Sequence, residues 1–224
     1  MFKNKNISII FDLDGTLVHS SPSLTRAANK LLKEINREIV DQKTYESFIG
    51  KGIPNQIKCL LEFSGGIPHD GLKKYIDRFR EIYDEDPFSA SSCYNGVKDC
   101  LILLKNSGFN LAICTQKNSH PAKKLLSHLG LESFFNGYAF GDSLDVMKPN
   151  PKMVDLALKN FDTGPVFYIG DSETDSQTAK NSNACFFLFT GGYRKKTVEE
   201  LAPDESFDNH KQIFDLIQNR LKKN

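Results

Sequence analysis

Ile7-Ser8-Ile9-Ile10-Phe11-Asp12-Leu13-Asp14-Gly15-Thr16-Leu17 is the stretch that decides how this chain folds. An apolar run interrupted only by Ser8, rich in β-branched residues and with no sustained polar alternation, reads as a strand buried on both faces of a parallel sheet. It ends in two carboxylates one residue apart, and in an open α/β sheet ligands bind just beyond the carboxyl ends of the strands. Alternation along an extended segment sends Asp12 and Asp14 to one side, with Gly15 easing the turn. Neighbouring carboxylates repel unless a cation neutralises them, so the pair asks for a metal. A plain turn or helix cap built by Asp-Gly-Thr is the competing explanation of these residues taken alone.

Further runs of the same kind follow: Leu111-Ala112-Ile113-Cys114, Val166-Phe167-Tyr168-Ile169, Cys185-Phe186-Phe187-Leu188-Phe189 and a shorter one at Gly137 to Phe140. Helix-period segments lie among them at Val97 to Asn106, His120 to Leu129 and Pro151 to Asn160. This alternation predicts an α/β fold, a doubly wound parallel sheet with a Rossmann-like core.

From about Ser20 to Asp86 the alternation stops and amphipathic helical faces take over. One is marked by Leu24, Ala27, Ala28, Leu31, Leu32 and Ile35, another by Ile53, Ile57, Leu60 and Leu61, and a third by Tyr75, Ile76, Phe79 and Ile82. The expected division is a core of residues 1–18 and 88–224 with a helical cap at 19–87. The crossings, near Val18–Pro22 and Pro87–Ser92, read as loops.

The 224 residues suit one main domain with a smaller insertion. A net charge of +1 gives no reason to expect a nucleic-acid or membrane partner. Cys59, Cys93, Cys100, Cys114 and Cys185 form no CxxC pair, which argues against zinc and for reduced thiols. After Lys3 and Lys5 the apolar run is cut short by Asp12, too soon for a signal peptide or a membrane span. A cytoplasmic protein is expected.

Three more strand ends carry matching chemistry. Thr115 closes Leu111 to Cys114 and offers a hydroxyl to an anion. Lys148, before Pro149, offers a fixed positive charge. Gly170-Asp171-Ser172-Glu173-Thr174-Asp175 adds carboxylates after Val166 to Ile169. Singly, each has a bland explanation as a turn residue, a surface lysine or an N-cap. All four in order do not.

Those four segments resemble the four motifs of the haloacid dehalogenase-like hydrolase superfamily, from Ile7 to about Tyr193. The cap stretch Phe48-Ile49-Gly50-Lys51-Gly52-Ile53-Pro54 is similar to that of its phosphoglycolate phosphatase subgroup. So are Gly191-Gly192-Tyr193 and the later Ala202-Pro203-Asp204 before Phe207-Asp208. The resemblance implies an Mg2+-dependent phosphatase acting on a small phosphate ester, with 2-phosphoglycolate favoured. Asp12 is then the nucleophile and Asp14 the general acid and base. Mg2+ is then held by Asp12, the backbone carbonyl of Asp14, Asp171 and Asp175. Thr115, Gln116 and Lys148 bind substrate.

Two positions depart from the family's habit: Gln116 where Asn is frequent, and His19 where the subgroup often has Asp. Specificity is expected in the cap loop, where Gly50-Lys51-Gly52 either reaches an anionic leaving group or is a turn with a solvated lysine. Phosphatases for nucleotides, sugar phosphates or pyrophosphate remain alternatives, as does a phosphosugar mutase. A phosphonatase would need a Schiff-base lysine, for which Lys51 is the candidate. A binding module that kept the fold is the non-enzyme alternative, and the oligomeric state is not legible.

Overall fold

The run from Ser8 forms β1 (Ser8–Phe11), and β2 (Val18–His19) follows at once. Four helices come next: α1 (Ser21–Glu34), α2 (Gln42–Glu46), α3 (Gly52–Phe63) and α4 (Leu72–Glu85). The chain continues through β3 (Ser92–Cys93), α5 (Val97–Asn106), β4 (Asn110–Cys114), α6 (Ser119–His128), β5 (Gly137–Ala139) and α7 (Lys152–Leu158). It closes with β6 (Val166–Gly170), α8 (Glu173–Asn181), β7 (Cys185–Phe189), α9 (Val198–Leu201), β8 (Glu205–Phe207) and α10 (Ile213–Lys223). The structure is a computed structural model, describing residues 6–162 and 164–223; Lys3 and Lys5 lie outside them.

Six strands pair in parallel in the order β5-β4-β1-β6-β7-β8. Ile9 and Ile10 are adjacent and both fully buried, yet they belong to different layers, because successive strand residues point to opposite faces. Ile9, Phe11, Leu111, Ile113, Phe167, Ile169, Phe187 and Phe189 share one layer with α5, α6 and α10. Ile10, Ala112, Cys114, Tyr168, Phe186 and Leu188 share the other with α7, α8 and α9. Full burial of each large side chain is worth about 1.5–3 kcal/mol. Coverage on both faces explains why the strands read as continuous apolar runs.

β1 sits between β4 and β6, where the winding reverses, so a crevice opens at its carboxyl end. Asp12 extends the ladder by one bond, its N–H donating to the Ile169 carbonyl at 2.9 Å.

Helices α1, α3 and α4 bury Leu24, Leu31, Leu32, Ile57, Leu60, Leu61, Phe79 and Tyr83 against one another in a cluster of their own. Tyr193, from beyond β7, adds its ring to that cluster. The expectation of loops at both crossings needs correcting. Val18↔Cys93 and His19↔Ser92 pair as a short antiparallel ribbon under the helices. Two residues per strand are too few to print a period on the sequence. Edge strand β8 escaped for a related reason, since Glu205-Ser206-Phe207 holds one apolar residue.

Candidate active site

At the mouth of the crevice, Asp12, Asp171 and Asp175 each bring a carboxylate oxygen within 4.8 Å of the other two, and all three are buried. The loops fold this way because little else fits. Gly15 has φ +87, and a Cβ there would come within 2.5 Å of Asp171 Oδ2. A Cβ on Gly192 would meet Asp171 at 2.3 Å. Asp171 is thus held between two glycines, accepting from Thr16 Oγ1 at 2.8 Å and from the Tyr193 N–H at 2.7 Å.

Asp175 closes a capping box at the start of α8 with Ser172. Its Oδ2 accepts from the N–H groups of Asp171 and Ser172 at 3.2 and 3.1 Å and from Ser172 Oγ at 2.6 Å. Its Oδ1 accepts from Lys148 Nζ at 2.7 Å. Lys148 also pairs with Asp12 Oδ1 at 3.0 Å, but off the angle of a hydrogen bond, so that buried oxygen has no donor of its own.

Three buried carboxylates against one ammonium leave an excess of negative charge. Burial first, then the charge of Asp175, push the Asp12 carboxyl up to about 7, with Lys148 pulling the other way. Burial, then Asp175 and Asp12, raise Asp171 well above its usual range. Burial opposes the charge on Lys148, but Asp12 and Asp175 outweigh it and hold that lysine above its ordinary value. An all-oxygen donor set with uncompensated charge fits a divalent cation.

Asp14 faces the same pocket but stands outside this cluster. Its partner is a residue the sequence did not single out: Lys117 Nζ lies 3.0 and 3.1 Å from its two carboxylate oxygens. Lys117 Nζ also donates to the Tyr83 hydroxyl at 2.8 Å, bringing α4 of the helical insertion to the site. The only signal was its place two residues after Thr115. Its partner is 103 positions away, and no local pattern reports that distance.

Thr115, at the end of β4, lines the pocket and is 1% exposed. Its Oγ1 accepts from the Lys117 N–H at 3.2 Å, which leaves its proton free to serve an anion. Gln116 Nε2 reaches the Gly50 carbonyl at 3.4 Å, and Thr174 Oγ1 donates to the same carbonyl at 3.0 Å. The loop before α3 is therefore fastened over the site. Leu24, Ile49, Ile53 and Gln56 form the roof of a cavity of about 50 Å3. By that measure it holds only a few waters.

The remaining candidates fall away from the pocket. Lys51 is exposed and does not line it, so the loop presents the solvated-lysine arrangement. Glu173 faces outward and accepts from the N–H groups of Lys195 and Lys196 at 2.7 Å each. His19 sits at the ribbon, its Nδ1 3.2 Å from the Tyr193 hydroxyl. His210 is buried, 2.8 Å from the Thr16 carbonyl through Nε2.

A family model described as haloacid dehalogenase-like hydrolase matches residues 9–189. A phosphoglycolate phosphatase of Cereibacter sphaeroides is 36% identical over 215 residues, 95% of this chain and 98% of that protein. One from Rhodobacter capsulatus is 34% identical over 211 residues, 94% of this chain and 96% of that protein. The crystal structure of a predicted phosphoglycolate phosphatase from Haemophilus somnus superposes with a TM-score of 0.88 at 27% identity. It covers 96% of this chain and 98% of that one. Among the described residues no helix is long and apolar enough to cross a membrane.

Proposed function

The chain belongs to the haloacid dehalogenase-like hydrolase family and is a phosphoric monoester hydrolase, and from that premise we propose that it hydrolyses 2-phosphoglycolate through Asp12 with the help of Mg2+. The observation that carries this reading is the placing of Asp12. Its carboxylate ends the central strand, beside Lys148 and Asp171, at the floor of a small roofed pocket.

Asp12 attacks phosphorus in line, forming a bond from its carboxylate oxygen as the bond to the alkoxide breaks. Asp14 gives its proton to the departing alkoxide oxygen, then takes one from the water that attacks the aspartyl-phosphate and frees Asp12. Lys148 offsets charge on the phosphoryl oxygens, and the Thr115 hydroxyl holds one of them. Asp12, the backbone carbonyl of Asp14 and Asp171 would hold Mg2+. Asp175, whose oxygens already accept from Lys148 and the loop amides, orients both. Mg2+ prefers octahedral oxygen coordination and, when bound, supplies positive charge facing the transferring phosphoryl group. Gln116, which lines the pocket while holding the Gly50 carbonyl, would contact the phosphate.

The small roofed cavity favours a short leaving group over a nucleoside or a hexose. Free thiols at Cys59, Cys93, Cys100, Cys114 and Cys185 suit a cytoplasmic setting. The test is inorganic phosphate release from 2-phosphoglycolate, sugar phosphates, nucleotides and pyrophosphate, with and without Mg2+. Mg2+-dependent release from 2-phosphoglycolate, lost in Asp12→Asn, is the expected result. Selective release from a larger ester would move the substrate and keep the mechanism. Interconversion of a phosphosugar with little phosphate released would replace the reading with a mutase.

A further inference from the structure

Transfer of a phosphoryl group to Asp12 needs neither Lys117 nor Gln56, yet both line the pocket and each is only 6% exposed. An ammonium is costly to take out of water unless it is well paired. Lys148 is matched by two carboxylates, Asp12 and Asp175, whereas Lys117 has one, Asp14, and a neutral hydroxyl from Tyr83. Gln56, on α3, accepts the Tyr45 hydroxyl on Oε1 at 3.0 Å. Its Nε2 donors have no protein partner among the described residues and open to the pocket instead of being sealed from water. Lys117 is balanced one to one while Asp14 is ionised, but once Asp14 holds the proton it gives as an acid, the ammonium faces no carboxylate, and the Gln56 donors face the same pocket. The rest of the roof is Leu24, Ile49, Ile53 and the backbone of Gly50 and Gly52.

We propose that Lys117 and Gln56 form a subsite for a carboxylate on the leaving alcohol, making the enzyme selective for phosphate esters of short 2-hydroxy acids. The inference rests on the phosphatase reading and names the residues that set its specificity. In such an ester the carboxylate is one carbon from the oxygen that departs. The group gripping it must therefore adjoin the group that protonates that oxygen. Lys117 does so, 3.0 Å from Asp14. Lys51, in the loop expected to carry specificity, is exposed and outside the pocket. Because Gln56 and Tyr83 come from α3 and α4, the subsite is complete only with the helices closed over the core.

The experiment compares kcat/KM for 2-phosphoglycolate with that for 2-hydroxyethyl phosphate, which keeps the two-carbon alcohol and replaces the carboxylate. Wild type, Lys117→Met and Gln56→Leu are each measured with Mg2+. The ratio favouring the carboxylate ester is expected to fall about 100-fold in Lys117→Met and about tenfold in Gln56→Leu. A purely structural role would slow both esters alike and leave the ratio where it was, which overturns the inference. Should Lys117→Met fail to fold, the Gln56→Leu ratio decides. A wild type that hydrolyses the neutral ester as well as the acid sinks the subsite and leaves the phosphatase standing. No phosphate from either ester or from p-nitrophenyl phosphate sinks both.

Discussion

Tyr193 donates its backbone N–H to Asp171 at 2.7 Å while its hydroxyl accepts from the N–H groups of Ser20 and Ser21 at 3.1 and 3.0 Å. One residue thereby ties the carboxylate cluster to the start of α1. Tyr193→Phe removes the acceptor and leaves two buried amides unsatisfied. The expected loss is about 2 kcal/mol of stability, read from urea unfolding midpoints. Mg2+ binding should survive, since the contact to Asp171 is through the backbone.

Gly192→Ala should act on Asp171 directly. A Cβ 2.3 Å from that side chain cannot be accommodated without moving it. Mg2+-dependent turnover is expected to fall at least about 100-fold, with the far-ultraviolet circular dichroism unchanged. A variant as active as wild type would remove Asp171 from the metal set.

Cation and proton should compete at the cluster. With Asp12 raised to about 7 in the metal-free protein, a proton occupies it increasingly as pH drops below that value, and a cation must displace it. Mg2+ affinity is expected to weaken on acidification from pH 7, by up to about tenfold per unit for one proton. Calorimetric titration in buffers of differing ionisation enthalpy would read the released proton, and the Asp12→Asn variant should release less.

His210 gives a stability signature of its own. Burial lowers its pKa from 6.5 to about 4, only partly opposed by the bond to the Thr16 carbonyl. The unfolded chain therefore takes up a proton that the folded one refuses between pH 6.5 and about 4. The stability from neutral His210 is full above 6.5 and declines as pH falls through that window, by a few kcal/mol in all. His210→Phe keeps the packing against Phe189 and Phe207 and should flatten the acid limb by up to one proton. Unfolding curves across this window in both proteins would measure the difference.

The sheet was legible wherever a strand is buried on both faces, because β1, β4, β6 and β7 had to be almost wholly apolar. β8 and the ribbon of β2 and β3 were not, since an edge strand with one buried residue and strands of two residues leave no periodic trace. In the site, Asp12, Asp14, Thr115, Lys148, Asp171 and Asp175 stood out because each terminates or follows a strand, and the structure lines one pocket with the first five and sets Asp175 behind them, bonded to Lys148. Gln56 belongs to that pocket from a helix, and Lys117 stands as far past β4 as Asp14 stands past β1 without a second carboxylate or glycine beside it to mark it. A lysine two residues past a motif and a glutamine on a helix face look like ordinary surface residues until the tertiary structure buries them. Tyr193 was noticed only within Gly191-Gly192-Tyr193, and nothing local says that its hydroxyl meets Ser20 and Ser21.

The carbonyl of Gly50 takes hydrogen bonds from Gln116, just past β4, and Thr174, in the first turn of α8, both of which line the pocket. The helical insertion is therefore not a freely exchangeable module. A graft from another protein would meet two donors waiting for an oxygen at one place, and a foreign loop lacking it would leave both unsatisfied and sit ajar. Altering this enzyme's diet by swapping its roof would mean redesigning positions 116 and 174 along with the transplanted loop.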